Sequence, residues 1–144
     1  MTIRTANAAE TANVGAALAK FLKKQGITDA FIALFGEMGV GKTAFTWGFC
    51  KEIGILRVKS PTYTLVNEYK SANDTVYHFD LCRLEETQEL DGIGFDEYLG
   101  ADAFKLCEWS ERLYELPRGA ITVKISRTDD ADGREIILST EIPI

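Results

Sequence analysis

The stretch AFIALFGEMGVGKT, residues 30–43, decides the fold of this chain. Its first part, Ala30–Phe35, is a continuous apolar run without alternation, which is typical of a central strand covered on both faces. The glycine-rich residues 36–41 interrupt this run, and the pattern of residues 42–53 predicts a helix that ends at Gly54. The stretch therefore predicts a strand, a loop and a helix in succession, which indicates the α/β class.

The loop in this stretch fits the pattern G-x-x-x-x-G-K-[ST] at every fixed position, from Gly36 to Thr43. Glycines allow backbone angles that other residues resist, and they let backbone N–H groups approach phosphate oxygens closely. A helix that begins near Lys42 adds the positive end of its dipole. We therefore expect Lys42 to reach the β- and γ-phosphates of a nucleotide and Thr43 to place its hydroxyl on Mg²⁺. The alternative is a glycine-rich turn that binds nothing, but the predicted flanking strand and helix favour a phosphate-binding loop.

The whole loop and the residue after it are predicted to contact the nucleotide: Gly36, Glu37, Met38, Gly39, Val40, Gly41, Lys42, Thr43 and Ala44. A carboxylate is unfavourable next to a polyphosphate, so we expect the Glu37 side chain to point into solvent. The sequence has no N-K-x-D motif, and Asp80-Leu81-Cys82-Arg83 lacks the glycine of a D-x-x-G switch. These two motifs would indicate GTP, so ATP is the favoured nucleotide.

Composition and charge narrow the class of protein. The chain has 144 residues, of which 46% are hydrophobic and 26% charged, and this suits one soluble domain over residues 1–144. A net charge of −6 repels a phosphate backbone at long range, which disfavours autonomous non-specific nucleic-acid binding. The first residues lack the apolar core of a signal peptide, and the longest apolar run is too short to cross a bilayer. The three cysteines are widely spaced and indicate no disulfide framework, so we expect a cytoplasmic protein with no membrane contact.

Hydrophobic periodicity and turn residues predict the remaining elements. Asn7 and Glu10 have the spacing of a capping box, and the apolar residues after them recur at helical spacing until Gly26. The further predicted elements are strands 62–69 and 75–81 around a turn at 71–74, a short helix 85–90, a strand 104–107 and a closing hairpin of 121–126 and 135–140. We therefore predict a single P-loop NTPase-like domain whose mixed, mostly parallel sheet is flanked by helices and carries antiparallel hairpin additions.

Two acidic residues are predicted at strand ends, where a P-loop protein needs a second group to organise the metal. Asp80 is the best candidate, and its alternative role is to cap the following turn. Glu108 could orient the attacking water or hold the Mg²⁺ shell, and the alternative is a surface ion pair. Trp109 either walls the nucleotide pocket or packs against neighbouring side chains. His78 is the only histidine, and a single imidazole in a strand is more typical of packing than of a catalytic base.

Four sequence strings beyond the loop point to a known family. They are SPTYTLVNEY at residues 60–69, HFDLCRL at residues 78–84, the segment of residues 89–99 and EWSER at residues 108–112. Together with the loop they resemble the TsaE (YjeE) family, the bacterial ATPases of the tRNA threonylcarbamoyladenosine pathway, over about residues 8–117. The resemblance implies a cytoplasmic ATPase, weak alone, that uses ATP and Mg²⁺ and acts on the TsaD–TsaB transferase heterodimer. It also implies that the chain meets tRNA only indirectly, through that complex, and does not itself transfer the threonylcarbamoyl group.

The resemblance further implies roles for individual residues. Thr43 and Glu108 would serve the Mg²⁺ site, and Asp80 would be the Walker-B-like acid. Trp109 would lie near the nucleotide, and Thr62 would belong to a switch-like loop that senses the γ-phosphate. The predicted catalytic residues are thus Lys42, Asp80 and Glu108, and the predicted metal ligands are Thr43, Asp80 and Glu108.

Some features leave alternatives open. The sequence departs from the family pattern at Cys82, where Tyr is usual, and at Ala44, where Thr is usual. Residues 60–64 combine Pro61, which restrains the backbone, with three hydroxyls that can read a phosphate, but an ordinary loop entering a strand has the same residue types. A small-molecule or nucleoside kinase and a non-catalytic nucleotide-binding switch remain the alternative functions. The scattered arginines predict no arginine-rich kinase lid: Arg112, Arg118, Arg127 and Arg134.

Overall fold

Strands and helices alternate as far as residue 52, and antiparallel hairpins follow further along the chain, as predicted. The computed structural model describes residues 1–59 and 65–144. The strands are β1 (Thr2–Thr5), β2 (Ala30–Phe35), β3 (Val66–Lys70), β4 (Thr75–Asp80), β5 (Phe104–Glu108), β6 (Ile121–Arg127) and β7 (Arg134–Leu138). The helices are α1 (Ala8–Lys24), α2 (Lys42–Glu52), α3 (Gln88–Gly92) and α4 (Phe95–Leu99), with a 3-10 turn at Ser110–Arg112. No helix within these two ranges is both long and apolar enough to cross a membrane.

The strands form one sheet in the order β1-β7-β6-β2-β5-β4-β3. β2 runs parallel to both of its neighbours, β5 and β6, and β4 runs parallel to β5. The pairs β1–β7, β3–β4 and β6–β7 are antiparallel. The sheet is therefore mixed, as predicted, but the described part is not mostly parallel, because short hairpins and β1 supply antiparallel pairs at both edges.

The central strand β2 is covered on both faces because its side chains are apolar on both faces. Ile32 and Leu34 are fully buried in the cluster that includes residues of α1 and α2. On the other face, Phe31 packs against Phe95 of α4 with ring centroids 6.4 Å apart. This burial holds the end of β2, and with it the start of the glycine-rich loop, in the middle of the sheet.

Two glycines allow α1 and α2 to pack closely. A Cβ atom at Gly15 would lie 2.1 Å from the carbonyl oxygen of Phe45, and one at Gly48 would lie 1.7 Å from the carbonyl oxygen of Ala12. No side chain fits at either position, so the two backbones approach each other directly. This contact fixes α2, whose first residue is Lys42 of the loop motif.

Most of the predicted elements are confirmed. The Asn7 side chain caps α1 by accepting a hydrogen bond from the Glu10 backbone N–H at 2.9 Å. The strand, loop and helix of residues 30–53 form as β2 and α2, with the helix ending at Glu52. Both predicted hairpins are present, as β3–β4 and β6–β7. Turn residues and local periodicity were therefore enough to locate these elements.

A few elements differ from the predictions. The helix predicted at residues 85–90 begins only at Gln88, because the Glu89 carboxylate accepts hydrogen bonds from the backbone N–H groups of residues 85 and 86. The sequence patterns predicted neither β1, which pairs with β7 from the far end of the chain, nor the short helix α4. The start of the predicted strand 62–69 lies outside the described residues.

Candidate functional site

The glycine-rich loop joins β2 to α2 at the carboxyl end of the central strand. Gly36 has φ +147°, and a Cβ atom there would lie 2.6 Å from the carbonyl oxygen of Ile125 in β6. Gly41, the N-cap of α2, has φ +121°, which an L side chain rarely adopts. Both fixed glycines of the motif are thus required by the backbone. The loop consequently leads directly into the N-terminus of α2, the position where a helix binds anions.

Lys42 turns back over the loop and is only 4% exposed. Its ammonium donates a hydrogen bond to the carbonyl oxygen of Gly36 and lies 3.7 Å from the centroid of the Trp109 ring. Burial lowers the pKa of Lys42, whereas the carboxylates of Glu111 and Glu108 oppose this shift. A buried cation of this kind would gain from a polyphosphate that replaced its contact with Gly36.

Glu108 ends β5 in the middle of the sheet and is only 3% exposed. One carboxylate oxygen, Oε1, accepts a hydrogen bond from the Thr43 hydroxyl at 3.3 Å. The other, Oε2, lies 2.5 Å from Nε2 of His78, which is fully buried. The alternative interpretation of Glu108 as a surface ion pair is therefore wrong, because neighbouring strands on both sides bury the end of β5.

Asp80 pairs with Glu108 in the register of β4 and β5. Its Oδ1 accepts a hydrogen bond from the backbone N–H of Cys82 at 3.0 Å, so it caps the following turn. Asp80 also lines a cavity of about 290 Å³ together with Lys42 and the side chains of Thr43 and Glu108. The two roles weighed from the sequence are therefore compatible: one oxygen holds the turn and the carboxylate faces the cavity.

Trp109 follows Glu108 in a left-handed conformation, with φ +61° and ψ +43°. It is the only non-glycine residue with positive φ in the described ranges. This conformation costs energy for a bulky residue, and such strain is concentrated at functional sites. Here it turns the indole over the Lys42 ammonium and into the wall of the cavity.

Two arginines of the β6–β7 hairpin hold the loop, and sequence reasoning missed both. Arg127 donates to a Glu37 carboxylate oxygen at 2.9 Å and to the Met38 carbonyl oxygen at 2.9 Å. Arg134 donates from Nε to the Val40 carbonyl oxygen at 2.7 Å. These residues looked scattered because each meets the loop across about ninety positions of sequence, which no local pattern reports. The Glu37 side chain is 86% exposed, as expected, but it is paired with Arg127.

A second cavity, of about 740 Å³, lies beside the first and shares Met38 and Trp109 with it. Its charged lining residues include Lys124, Glu111 and Arg127. The two cavities together border Gly36, Glu37, Met38, Gly39, Val40, Gly41, Lys42, Thr43 and Trp109 of the predicted nucleotide contacts. Ala44 borders neither cavity, and Thr62 lies outside the described residues.

The oxygen donors at the first cavity suit Mg²⁺. In residues 1–59 and 65–144, no group of three or more His, Cys, Asp or Glu side chains is arranged to hold a metal. Mg²⁺ needs no such group, because it is typically held by one or two protein oxygens together with water and phosphate. The Thr43 hydroxyl and the Glu108 carboxylate, which contact each other, supply oxygens of this kind, and Asp80 lies at the same cavity.

The cysteines form no disulfide. Cys50 and Cys107 are fully buried, as expected, and burial raises the pKa of each thiol to about 12. Cys82, one of the two departures from the family pattern, is half-buried and borders the cavity beside Asp80. Burial and Asp80 raise the pKa of Cys82 as well. The departure at Cys82 therefore lies at the cavity that the predicted site residues border.

Comparison with known proteins gives one consistent family. The family model of the threonylcarbamoyl adenosine biosynthesis protein TsaE matches residues 5–136. Over 113 residues the chain is 44% identical to the tRNA threonylcarbamoyladenosine biosynthesis protein TsaE of Haemophilus influenzae. This alignment covers 77% of this chain and 72% of that relative. Over 135 residues the chain is 38% identical to the Bacillus subtilis protein of the same name, covering 92% and 81%. A crystal structure of Bacillus subtilis YdiB is similar with a TM-score of 0.77 and 32% identity, over 94% of this chain and 82% of that one.

Proposed function

This chain belongs to the TsaE family of threonylcarbamoyl adenosine biosynthesis proteins, as its sequence strings predict, and on that premise we propose that it is a Mg²⁺-dependent ATPase. It hydrolyses ATP to ADP and phosphate, weakly when alone. It supports the formation of threonylcarbamoyladenosine next to the tRNA anticodon by acting on the TsaD–TsaB transferase. It contacts tRNA only through that complex and works in the cytoplasm.

One observation carries the proposal: the loop motif, the buried cation and two acidic side chains converge on a single cavity. Lys42, Thr43, Asp80 and Glu108 come from three different parts of the sequence, yet all border the cavity of about 290 Å³. A glycine-rich turn with no ligand would not need a buried ammonium, a buried carboxylate and a strained tryptophan around it.

The residues of the cavity divide the work on ATP. Backbone N–H groups of the loop and the N-terminus of α2 bind the phosphate oxygens. The Lys42 ammonium leaves the Gly36 carbonyl oxygen for the β- and γ-phosphates, where its charge stabilises the transition state. Thr43 and Glu108 would hold Mg²⁺, with Asp80 as a further acidic group at the same cavity. When bound, Mg²⁺ would supply positive charge that offsets the negative charge of the phosphates.

Hydrolysis also requires that the attacking water be oriented. Glu108 and Asp80 are the acidic groups that border the cavity, so one of them accepts a hydrogen bond from the water. The buried side of the Glu108 carboxylate is already bonded to His78, whereas the partly exposed Asp80 faces the cavity. We assign Glu108 mainly to the metal and Asp80 to the metal shell and the water.

The net charge supports a protein partner rather than direct tRNA binding. With a formal charge of −6, the chain repels a free phosphate backbone at long range. The names of the Haemophilus influenzae and Bacillus subtilis relatives place those proteins in tRNA threonylcarbamoyladenosine biosynthesis. We therefore propose that this acidic chain reaches the tRNA through another subunit.

Reconstitution with TsaD–TsaB, tRNA and ATP tests the proposal. Wild-type protein is expected to sustain many turnovers of tRNA modification and to release ADP and phosphate, whereas Lys42→Ala supports neither. Lys51→Ala, an exposed lysine at the other end of α2, is the matched control and is expected to behave as wild type. Failure of the wild-type protein to bind the heterodimer or to affect modification would overturn the proposal. Transfer of phosphate to a small-molecule acceptor, tested with a metabolite panel, would favour the kinase alternative.

A further inference from the structure

The single histidine of the chain is placed against the carboxylate of Glu108. His78 is fully buried, and its Nε2 lies 2.5 Å from Oε2 of Glu108. An ionised carboxylate only accepts hydrogen bonds, so Nε2 is the donor. The side chain of Glu108 is 4% exposed, and the bond from His78 satisfies the oxygen that points away from Thr43. The position of His78 in the sequence favoured a packing role. The structure adds a hydrogen bond between the ring and Glu108.

Strand register explains this contact. His78 of β4 pairs with Leu106 of β5, and Glu108 is two residues further along the same strand. Side chains two residues apart point to the same face of a sheet, so His78 and Glu108 are diagonal neighbours. Asp80 lies on this face too, directly beside Glu108. On this face of the sheet, the imidazole therefore lies two residues before the end of β4, next to Glu108 and on the side away from the cavity.

The other ring nitrogen of His78, Nδ1, faces Tyr69 of β3. Nδ1 of His78 lies 3.4 Å from the Tyr69 hydroxyl, and the two rings are 6.0 Å apart. The Tyr69 hydroxyl donates to the Lys59 carbonyl oxygen at 2.5 Å and accepts from the Lys59 N–H at 2.9 Å. Asn67 donates to the same carbonyl oxygen at 2.9 Å. Nε2 is thus bonded to Glu108, Nδ1 faces the Tyr69 hydroxyl oxygen, and His78 does not border the first cavity, so neither nitrogen is available to act on a substrate there.

We propose that His78 is a positioning residue, which locks the Glu108 carboxylate so that its Oε1 faces the Thr43 hydroxyl at the cavity. This inference rests on the proposed ATPase function, in which Glu108 and Thr43 hold Mg²⁺. Side chains that hold a metal-binding carboxylate from behind fix its direction and typically matter nearly as much as the ligand. Without the imidazole, Glu108 remains at the end of β5 but loses the hydrogen bond that sets the rotamer of its side chain.

Substitutions of different hydrogen-bonding capacity separate positioning from packing. His78→Leu removes the donor, and we expect kcat for ATP hydrolysis to fall about 10- to 100-fold, the usual effect of losing such a partner. ATP affinity is set mainly by the loop and Lys42, so KM is expected to stay within about threefold, less than 1 kcal/mol. His78→Gln can present an amide N–H near the position of Nε2, and it is expected to restore most of the lost kcat. In a Glu108→Gln background, His78→Leu is expected to cause little further loss.

A nuclear magnetic resonance measurement tests the contact without any nucleotide. Because the chain has one histidine, its imidazole nitrogen signals need no assignment among several residues. Glu108→Gln is expected to shift the Nε2 signal of the folded protein, whereas Glu111→Gln, which borders the second cavity and is not bonded to the ring, leaves it unchanged.

The outcomes distinguish this inference from the proposed function. Wild-type kcat in folded His78→Leu, or equal losses in His78→Leu and His78→Gln, would overturn the positioning role. An Nε2 signal that ignores Glu108→Gln would overturn the contact itself. A wild-type chain that shows the His78–Glu108 signal shift but binds no ATP would instead overturn the proposed ATPase function.

Discussion

Gly48 of α2 faces the carbonyl oxygen of Ala12 in α1 so closely that a Cβ atom at position 48 would lie 1.7 Å from that oxygen. The two helices therefore touch through their backbones. Because α2 begins at Lys42, this contact determines where the helix N-terminus and the loop sit relative to the sheet. The packing of α1 against α2 thus belongs to the geometry of the candidate site as much as to the core.

The first prediction concerns this helix contact. Gly48→Ala is expected to lower the free energy of unfolding by about 1–3 kcal/mol, because the methyl group forces the helices apart. Helix propensity alone would give the opposite sign, since alanine favours a helix over glycine by about 1 kcal/mol. Gly92→Ala is the matched control: a Cβ atom there meets nothing within 4 Å, so the variant is expected to be neutral or more stable. Urea unfolding of both variants measures the difference.

A second prediction separates the two roles of Asp80. Asp80→Asn keeps an oxygen that accepts from the Cys82 N–H but removes the charge at the cavity. Its stability is expected to stay within about 0.5 kcal/mol of wild type, while kcat for ATP hydrolysis falls about 100-fold or more. Asp80→Ala is expected to lose the turn cap as well, at a cost of about 1 kcal/mol. Full hydrolysis by Asp80→Asn would show that only the turn needs this residue.

The third prediction concerns the arginine that holds the loop. Arg127→Ala removes the bonds to Glu37 and to the Met38 carbonyl oxygen, so the loop is expected to bind ATP about fivefold more weakly, a loss of about 1 kcal/mol. Glu37→Gln removes only the charge pair, which is exposed, and is expected to change affinity little. Arg4→Ala breaks an exposed ion pair with Glu135, neither member of which is bonded to the loop, and serves as the control. Calorimetric titration with ATP and Mg²⁺ measures all three.

The sequence predicted the parts of the site that adjacent residues specify. The β2 strand, the loop and α2 follow from one continuous stretch, in which apolar residues, glycines and helix formers succeed each other. Lys42, Thr43, Asp80, Glu108 and Trp109 were all named from motif and position, and all border one cavity. Strand ends on one edge of a sheet converge in space, which is why a linear pattern sufficed.

The missed features depend on pairing across the chain. Arg127 and Arg134 meet the loop only because β6 lies next to β2, a neighbour relationship that periodicity does not contain. β1 forms because β7 offers it an edge, although its own residues are mostly polar. The partners of His78 likewise follow from the register of β3, β4 and β5, and a register is set by tertiary packing.

A fourth prediction concerns alkaline pH. Burial raises the pKa of the Cys50 thiol from 9.0 to about 12, so between these values the folded chain keeps a proton that the unfolded chain loses. The free energy of unfolding is therefore expected to fall as pH rises above 9.0 towards about 12, with the full contribution present below pH 9.0. Cys50→Ala loses baseline stability through the cavity it leaves, but its decline with pH is expected to be shallower. Parallel curves for the two proteins would contradict this assignment.

The last prediction follows from the burial of Lys42. Burial lowers the pKa of Lys42 from its ordinary value of 10.5, so the unfolded chain binds this proton more tightly than the folded chain does. At neutral pH, where the side chain is charged in both states, the buried ammonium therefore lowers the free energy of unfolding. Lys42→Met keeps the length of the side chain without its charge, and it is expected to stabilise the nucleotide-free protein by about 1 kcal/mol while abolishing ATP binding. Lys51→Met, exposed on the same helix, should change stability by less than about 0.5 kcal/mol and leave binding intact. Thermal unfolding with and without ATP measures both effects; a Lys42→Met protein less stable than wild type would mean that the bonds to Gly36 and Trp109 outweigh the burial of the charge.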